Sequence, residues 1–104
     1  MSAFSDFINE TLTLHKQNGE IKEIKANVQE KMIFSEDTFV NIEEDDILER
    51  NLPNGSNEYF LVNDRGFHKG VRGIPEHYQI KYIKITKEKM DQLLGGVGKV
   101  NFLT

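Results

Sequence analysis

Apolar and polar residues alternate along much of the chain with the two-residue period of a pleated strand, which predicts a mainly β protein. Thr11-Leu12-Thr13-Leu14-His15-Lys16 alternates threonine with leucine, then meets Gln17-Asn18-Gly19-Glu20. Asn-Gly between two strand-like runs predicts a hairpin. The return strand spans 21–29, with Ile24, Ala26 and Val28 on one side and Lys25, Asn27 and Gln29 on the other. Met32, Ile33 and Phe34 predict a third short strand. A loop at 35–38 follows, and then an apolar patch of Phe39, Val40 and Ile42.

The clearest local signal lies in 46–64. Two runs rich in Ile, Leu, Tyr, Phe and Val flank Leu52-Pro53-Asn54-Gly55. Pro53 presets its own backbone angle, and Asn54 and Gly55 tolerate left-handed ones, so a tight turn is expected. Ile47 and Leu48 point to opposite faces. Tyr59 and Leu61 share one face, and Phe60 and Val62 share the other. A strand that is apolar on both faces belongs at the centre of a sheet, or in a small barrel whose outside is covered.

Residues 63–76 read as the longest irregular stretch, holding Gly66, Gly70, Gly73 and Pro75. A long loop in a compact domain suggests a job. A strand over 77–86 follows, with Tyr78, Ile80 and Tyr82 on one face and Ile83 and Ile85 on the other. The change of apolar face between Tyr82 and Ile83 predicts a bulge there. Thr86 is placed to cap a helix with Met90, Leu93 and Leu94 on one side, stopped by Gly95 and Gly96. At the other end, Ser2 can cap a short helix over 2–10 with Phe4, Phe7 and Ile8 on one face. Its expected role is to plug one end of the sheet. It is short and acidic, which disfavours a membrane anchor. The tail 97–104 is apolar and glycine-rich, and fits either an edge strand or an irregular segment.

The 104 residues are enough for one domain with one modest core. The expected division is a β domain with its N-terminal helix over 1–86, then a C-terminal helix and tail over 87–104. No run of about 18 apolar residues exists, so no membrane-spanning helix is expected. The first residues lack a basic region and a continuous apolar segment, unlike a secretory signal. Cysteine is absent, which removes disulfides, thiolate metal sites and cysteine nucleophiles. A cytoplasmic setting is the expectation.

The net charge of −4 hides an asymmetry. Residues 1–64 carry 5 Lys and Arg against 14 Asp and Glu, whereas 65–90 carry 7 against 2. So acidic a chain is a poor general nucleic-acid binder, although a local basic face remains open.

Few residues point to chemistry. Gly95-Gly96-Val97-Gly98-Lys99 fails the phosphate-loop pattern, because Leu93 stands where a glycine is required and Val100 where Ser or Thr is. Asp64, His68 and His77 match no compact metal-ligand spacing. No Gly-x-Ser-x-Gly elbow occurs. Glu43-Glu44-Asp45-Asp46 lacks the spacing of a calcium loop and reads as a solvated turn. His15 reads as a solvated surface histidine. What remains is the basic and aromatic set Arg65, Phe67, His68, Lys69, Arg72, His77, Tyr78 and Lys81. Such a set could form an interface with a protein or grip a single nucleic-acid strand. It could also be a solvated face that balances the acidic first half.

The run 42–55, then Glu58-Tyr59, Phe67 and Gly73-Ile74-Pro75-Glu76-His77-Tyr78-Gln79, resembles an uncharacterised domain of bacterial and prophage proteins. That group shares an acidic turn, a Leu-Pro-Asn-Gly hairpin, a Gly-Phe loop and an Ile-Pro-x-His-Tyr-Gln strand entry. The resemblance covers about residues 12–86 and implies no activity. The sequence departs from the group's pattern at Arg65 and His68, where Pro and Tyr are usual. More loosely, the chain resembles small β-barrel head–tail joining proteins of tailed phages. That likeness implies a ring-forming structural protein without catalysis.

These readings combine into a small antiparallel barrel or strongly bent sheet of about five or six strands with a short helix at each end. The expected function is a non-enzymatic protein-interaction module of a bacterium or phage, without cofactor or metal, binding through 63–78. Its expected partner is another protein or a second copy. The alternatives are phage head–tail joining and single-stranded nucleic-acid binding.

Overall fold

The computed structural model describes residues 10–95. They form β1 (Glu10–His15), β2 (Ile21–Val28), β3 (Ile33–Ser35), β4 (Ile47–Asn51), β5 (Asn57–Asp64), β6 (Phe67–His68), β7 (His77–Ile85) and α1 (Lys87–Leu93). Six antiparallel strands close a barrel: β3, β2, β1, β4, β5 and β7 in order, with β7 pairing back onto β3. The short β6 is the extra strand and pairs only with the start of β7. The expected helix over 2–10 and the tail 97–104 lie outside the described residues.

Turn chemistry sets the registers. Gly19 takes φ 96 in the β1–β2 hairpin, which fixes Leu12 opposite Ile24 and Leu14 opposite Lys22. In the β4–β5 hairpin, Leu52 N–H donates to Ser56 O and Gly55 N–H to Leu52 O. Gly55 supplies the left-handed angle at φ 89, and Asn54 does not. Asn54 instead uses its side-chain oxygen to accept from Ser56 N–H at 2.9 Å.

The two-sided arm is explained by two cores. Leu12, Leu14, Ile24, Ala26, Ile33, Leu48, Phe60, Val62, Tyr78 and Ile80 are buried together inside the barrel. On its outside, Ile47, Tyr59 and Met90 are buried together, with Leu61, Ile85 and Leu94 packed against them. The C-terminal helix is therefore the cover that an outward apolar face requires. Thr86 caps it by accepting from Lys89 N–H at 3.1 Å. Leu94 packs inward while Leu93 stays exposed, so the helix uses Met90 and its i+4 neighbour rather than i+3.

Three expectations change. β7 alternates without a phase change: Tyr78 and Ile80 are buried inside, Tyr82 packs against that core, and Ile85 lies under α1. The bulge falls in β5, between Val62 and Asp64. The stretch 63–76 is also not irregular, since it holds β6 and a further bridge between Val71 and Ile74. The third strand is displaced by one residue from the expected 32–34.

The barrel thus has two distinct ends. One gathers the end of β1, the start of β4, the end of β5 and the start of β7. The other gathers the start of β1, the β4–β5 turn and the end of β7. Phe60→Ala should lower the unfolding free energy by about 3–5 kcal/mol, because Phe60 fills the interior. Ile83→Ala, on an exposed site of β7, should stay within about 0.5 kcal/mol. Urea midpoints of both variants check this, and equal shifts would contradict the inside–outside assignment.

Candidate functional site

The residues singled out in 65–81 form a two-stranded ribbon that leaves the first end of the barrel. The ribbon prolongs β5 and β7. Gln79 N–H donates to Gly66 O at 2.9 Å, Phe67 pairs with Tyr78, and His68 with His77. Val71 and Ile74 exchange hydrogen bonds of 2.9 and 2.7 Å around an Arg72-Gly73 turn. Gly73 sits at φ 71, the left-handed position that such a turn needs.

Gly66 makes the joint between barrel and ribbon. It takes φ 55, and an added Cβ would lie 2.1 Å from Gln79 O. Asp64 Oδ1 accepts from Gly66 N–H at 2.9 Å and fixes the bend. No side chain fits there, which is why the chain can bulge and still pair with β7.

The eight candidate residues separate by depth. Tyr78 is buried; its hydroxyl donates to Val40 O at 2.7 Å and accepts from Ile42 N–H at 3.2 Å. His77 is buried too, with Nδ1 donating to Pro75 O and Nε2 accepting from the Gln79 amide, both at 2.9 Å. These two residues anchor the ribbon from beneath. Arg65 is half-buried and reaches back to Asn41 Oδ1 at 3.3 Å and Ile42 O at 3.4 Å. Phe67, His68, Lys69 and Arg72 face solvent, and so does Lys81, opposite Asp64 on the barrel wall. The Phe67 ring meets Tyr78 edge to face at 5.6 Å, and His68 stacks on His77 at 5.1 Å.

The pattern on this ribbon is unusual for a solvated hairpin. Phe67, Val71 and Ile74 keep 45%, 64% and 51% of their surface exposed. Lys69 and Arg72 stand among them and form no ion pair with a described residue. Exposed apolar side chains clustered on one ordered projection mark contact surfaces more often than isolated ones do.

The base of the ribbon is held by a charge cluster. Lys16 Nζ donates to Asn41 O at 2.7 Å, Glu43 Oε1 at 2.9 Å and Asp46 Oδ2 at 2.5 Å. Asp46 is fully buried, and its Oδ2 also accepts from Glu43 N–H at 2.8 Å. The acidic run is therefore not simply solvated; its last residue is an internal counter-ion. Burial pulls the Lys16 ammonium down, but the hydrogen bonds and charges of Asp46 and Glu43 more than reverse this, leaving its pKa above 10.5. Lys16 in turn holds the Glu43 carboxyl below its ordinary range. Glu44 Oε2 accepts from Arg65 N–H at 3.0 Å, which lowers its pKa as well. The turn so fixed places Asp45, at φ 73, beside the end of β5, where Asp45 N–H donates to Val62 O.

Period two held the signal for this cluster. Lys16 shares a face with Leu12 and Leu14, and Asp46 shares one with Leu48, so both fall on the inward side. The same rule puts Tyr78 inside with Ile80. His15 is also more than a surface ring: it is half-buried and its Nε2 lies 2.8 Å from Glu49 Oε1.

The other end of the barrel offers a cleft of about 180 Å³ lined by Val28, Arg50, Glu58, Phe60, Tyr82 and Lys84. Arg50, Glu58 and Lys84 there are already paired, while Glu30 at its edge forms no ion pair with a described residue. Arg50 bridges Glu10 and Glu58, and Lys84 bonds Glu58 at 2.7 Å. The Tyr82 hydroxyl donates to the Gln29 and Glu30 carbonyls. Among the described residues no group of three or more His, Asp and Glu could hold a metal ion, and Asp64 uses its carboxylate on Gly66. No helix among them is long and apolar enough to cross a membrane. A scan of family models, a search of curated proteins and a search of solved structures each return no match.

Lys16→Met should destabilise the fold by about 3–5 kcal/mol, because it leaves Asp46 buried without its counter-ion. Lys16→Met combined with Asp46→Leu should regain roughly half of that or more. The raised Lys16 pKa stabilises fully below the unfolded value, near 10.5, and this contribution is lost as pH rises through the folded value. Denaturation midpoints should therefore fall less steeply above pH 10.5 in the double variant than in the parent. Parallel curves would remove Lys16 from the account.

Proposed function

We propose that the chain is a non-enzymatic protein-interaction module of a bacterium or phage, and that the ribbon over 66–77 is its binding surface. The observation that carries this reading is the exposure of Phe67, Val71 and Ile74 on an ordered projection, with Lys69 and Arg72 between them. An interface needs apolar anchors that lose water on contact and a polar surround that sets orientation. The ribbon has both, and hydrogen bonds across it hold them in place before any partner arrives. That preorganisation limits the entropy lost on binding. The likeness of the Leu-Pro-Asn-Gly hairpin and the Ile-Pro-x-His-Tyr-Gln strand entry to a bacterial and prophage domain supports the setting.

The ribbon is a weaker platform for a single nucleic-acid strand. Arg65 is committed to Asn41 and Ile42, which leaves Lys69 and Arg72 as the ribbon's cations without an ion pair to a described residue. Two such contacts give little counterion release in a chain of net charge −4.

Val71→Asp with Ile74→Asp should abolish partner capture in a pull-down from a bacterial or phage-infected lysate. Both positions are exposed, so the unfolding free energy should move by only about 0.5 kcal/mol at each. Unchanged capture by a folded double variant would remove the ribbon as the binding surface.

A further inference from the structure

We infer that the ribbon docks on a second copy of this chain, with the two ribbons lying antiparallel about a two-fold axis. This rests on the ribbon being the binding surface, and it names the occupant.

The tip carries Arg72, and Lys69 lies midway along the ribbon, both without described ion-pair partners. The base of the same ribbon adjoins the acidic turn, where Glu44 bonds Arg65 N–H and Asp45 N–H bonds Val62 O. The Asp45 side chain is exposed and pairs with no described cation. From Gly66 to Arg72 is six residues of ribbon, or about 20 Å at strand rise. That exceeds the screening length of roughly 8–10 Å, so tip and base of one copy do little for each other.

Two antiparallel ribbons bring these groups together. The tip of one then falls at the base of the other, and the offset between cation and acid matches because both are set by the same ribbon length. Arg72 of each copy meets the Asp45 turn of its mate, and the contact occurs twice. An isologous interface needs this kind of self-complementary patch. Val71 and Ile74 beside the tip of each copy then lie against Phe67 near the base of its mate and supply the apolar contact. Each ribbon offers only a few hundred Å² of contact, below the roughly 800 Å² per partner of a standard stable interface. The dimer is therefore weak and salt-sensitive.

Sedimentation velocity on the full chain tests this between about 10 μM and about 1 mM, at low and at about 0.3 M salt. The parent should shift from monomer to dimer with concentration, less so at high salt. Arg72→Glu alone and Asp45→Lys alone should each remain monomeric, since each places like charges together at both contacts. Mixed in equal amounts, the two should form a heterodimer, because every contact is then of opposite sign. Asp45 has a left-handed backbone, so circular dichroism must show that Asp45→Lys is folded. Asp45→Asn, which tolerates that angle, should weaken self-association and serves if it is not. A parent that stays monomeric throughout overturns the second copy as occupant and assigns the ribbon to a different partner. That result leaves the ribbon itself to be judged by the capture experiment. Dimers that persist in both single variants overturn the antiparallel arrangement.

Discussion

The ion pair between Lys16 and Asp46 holds the end of the barrel from which the ribbon projects. It sits where β1 ends and β4 begins, and it draws in Asn41 and Glu43 from the connection between β3 and β4. A buried carboxylate is stable only when its counter-ion and hydrogen bonds replace the water it has lost. Asp46 Oδ2 receives both from Lys16 and the Glu43 N–H, although Oδ1 has no hydrogen-bond partner among the described residues. The turn that results presents Glu44 to Arg65, and Arg65 is the last residue before the Gly66 joint. The orientation of the ribbon is thus fixed from below by charge and from within by the buried Tyr78.

The opposite end shows what a closed surface looks like in the same molecule. Arg50, Glu10, Glu58 and Lys84 neutralise one another across the mouth. Lys84 and Arg50 hold the Glu58 carboxyl below its ordinary range, and burial pushes the Tyr82 phenol up. Every one of these groups is occupied by its neighbours. The ribbon differs because its charges and apolar side chains point outward from an already satisfied scaffold. That contrast between the two ends, rather than any single residue, is the reason to place binding at one of them.

Much of the barrel was legible in the sequence because period two and turn residues are local signals. Leu12, Leu14, Ile24 and Ala26 declare an inner face, and Asn18-Gly19 and Pro53-Asn54-Gly55 declare the reversals. The two-sided arm at Tyr59–Val62 implied an outer cover, and α1 supplies it. What was not legible depended on contacts distant in sequence. Lys16 and Asp46 lie thirty positions apart, and each looks like a surface residue until its parity is followed inward. The glycines of 63–76 resemble loop punctuation, yet Gly66 marks a close backbone approach and Gly73 a turn within a ribbon. The apparent phase change in β7 came from reading an apolar outer face as a switch of sides, when α1 covers Ile85 on that face and Ile83 stays exposed.

The proposed contact surface is confined to the ribbon and the acidic turn beside it. Backbone amide chemical shifts followed by NMR as the protein is concentrated test it most directly. Concentration-dependent shifts are expected at 67–74 and at 43–46, with Arg50, Glu58 and the α1 residues unchanged. Shifts centred on the Arg50–Glu58 mouth or on α1, with the ribbon amides still, would contradict it.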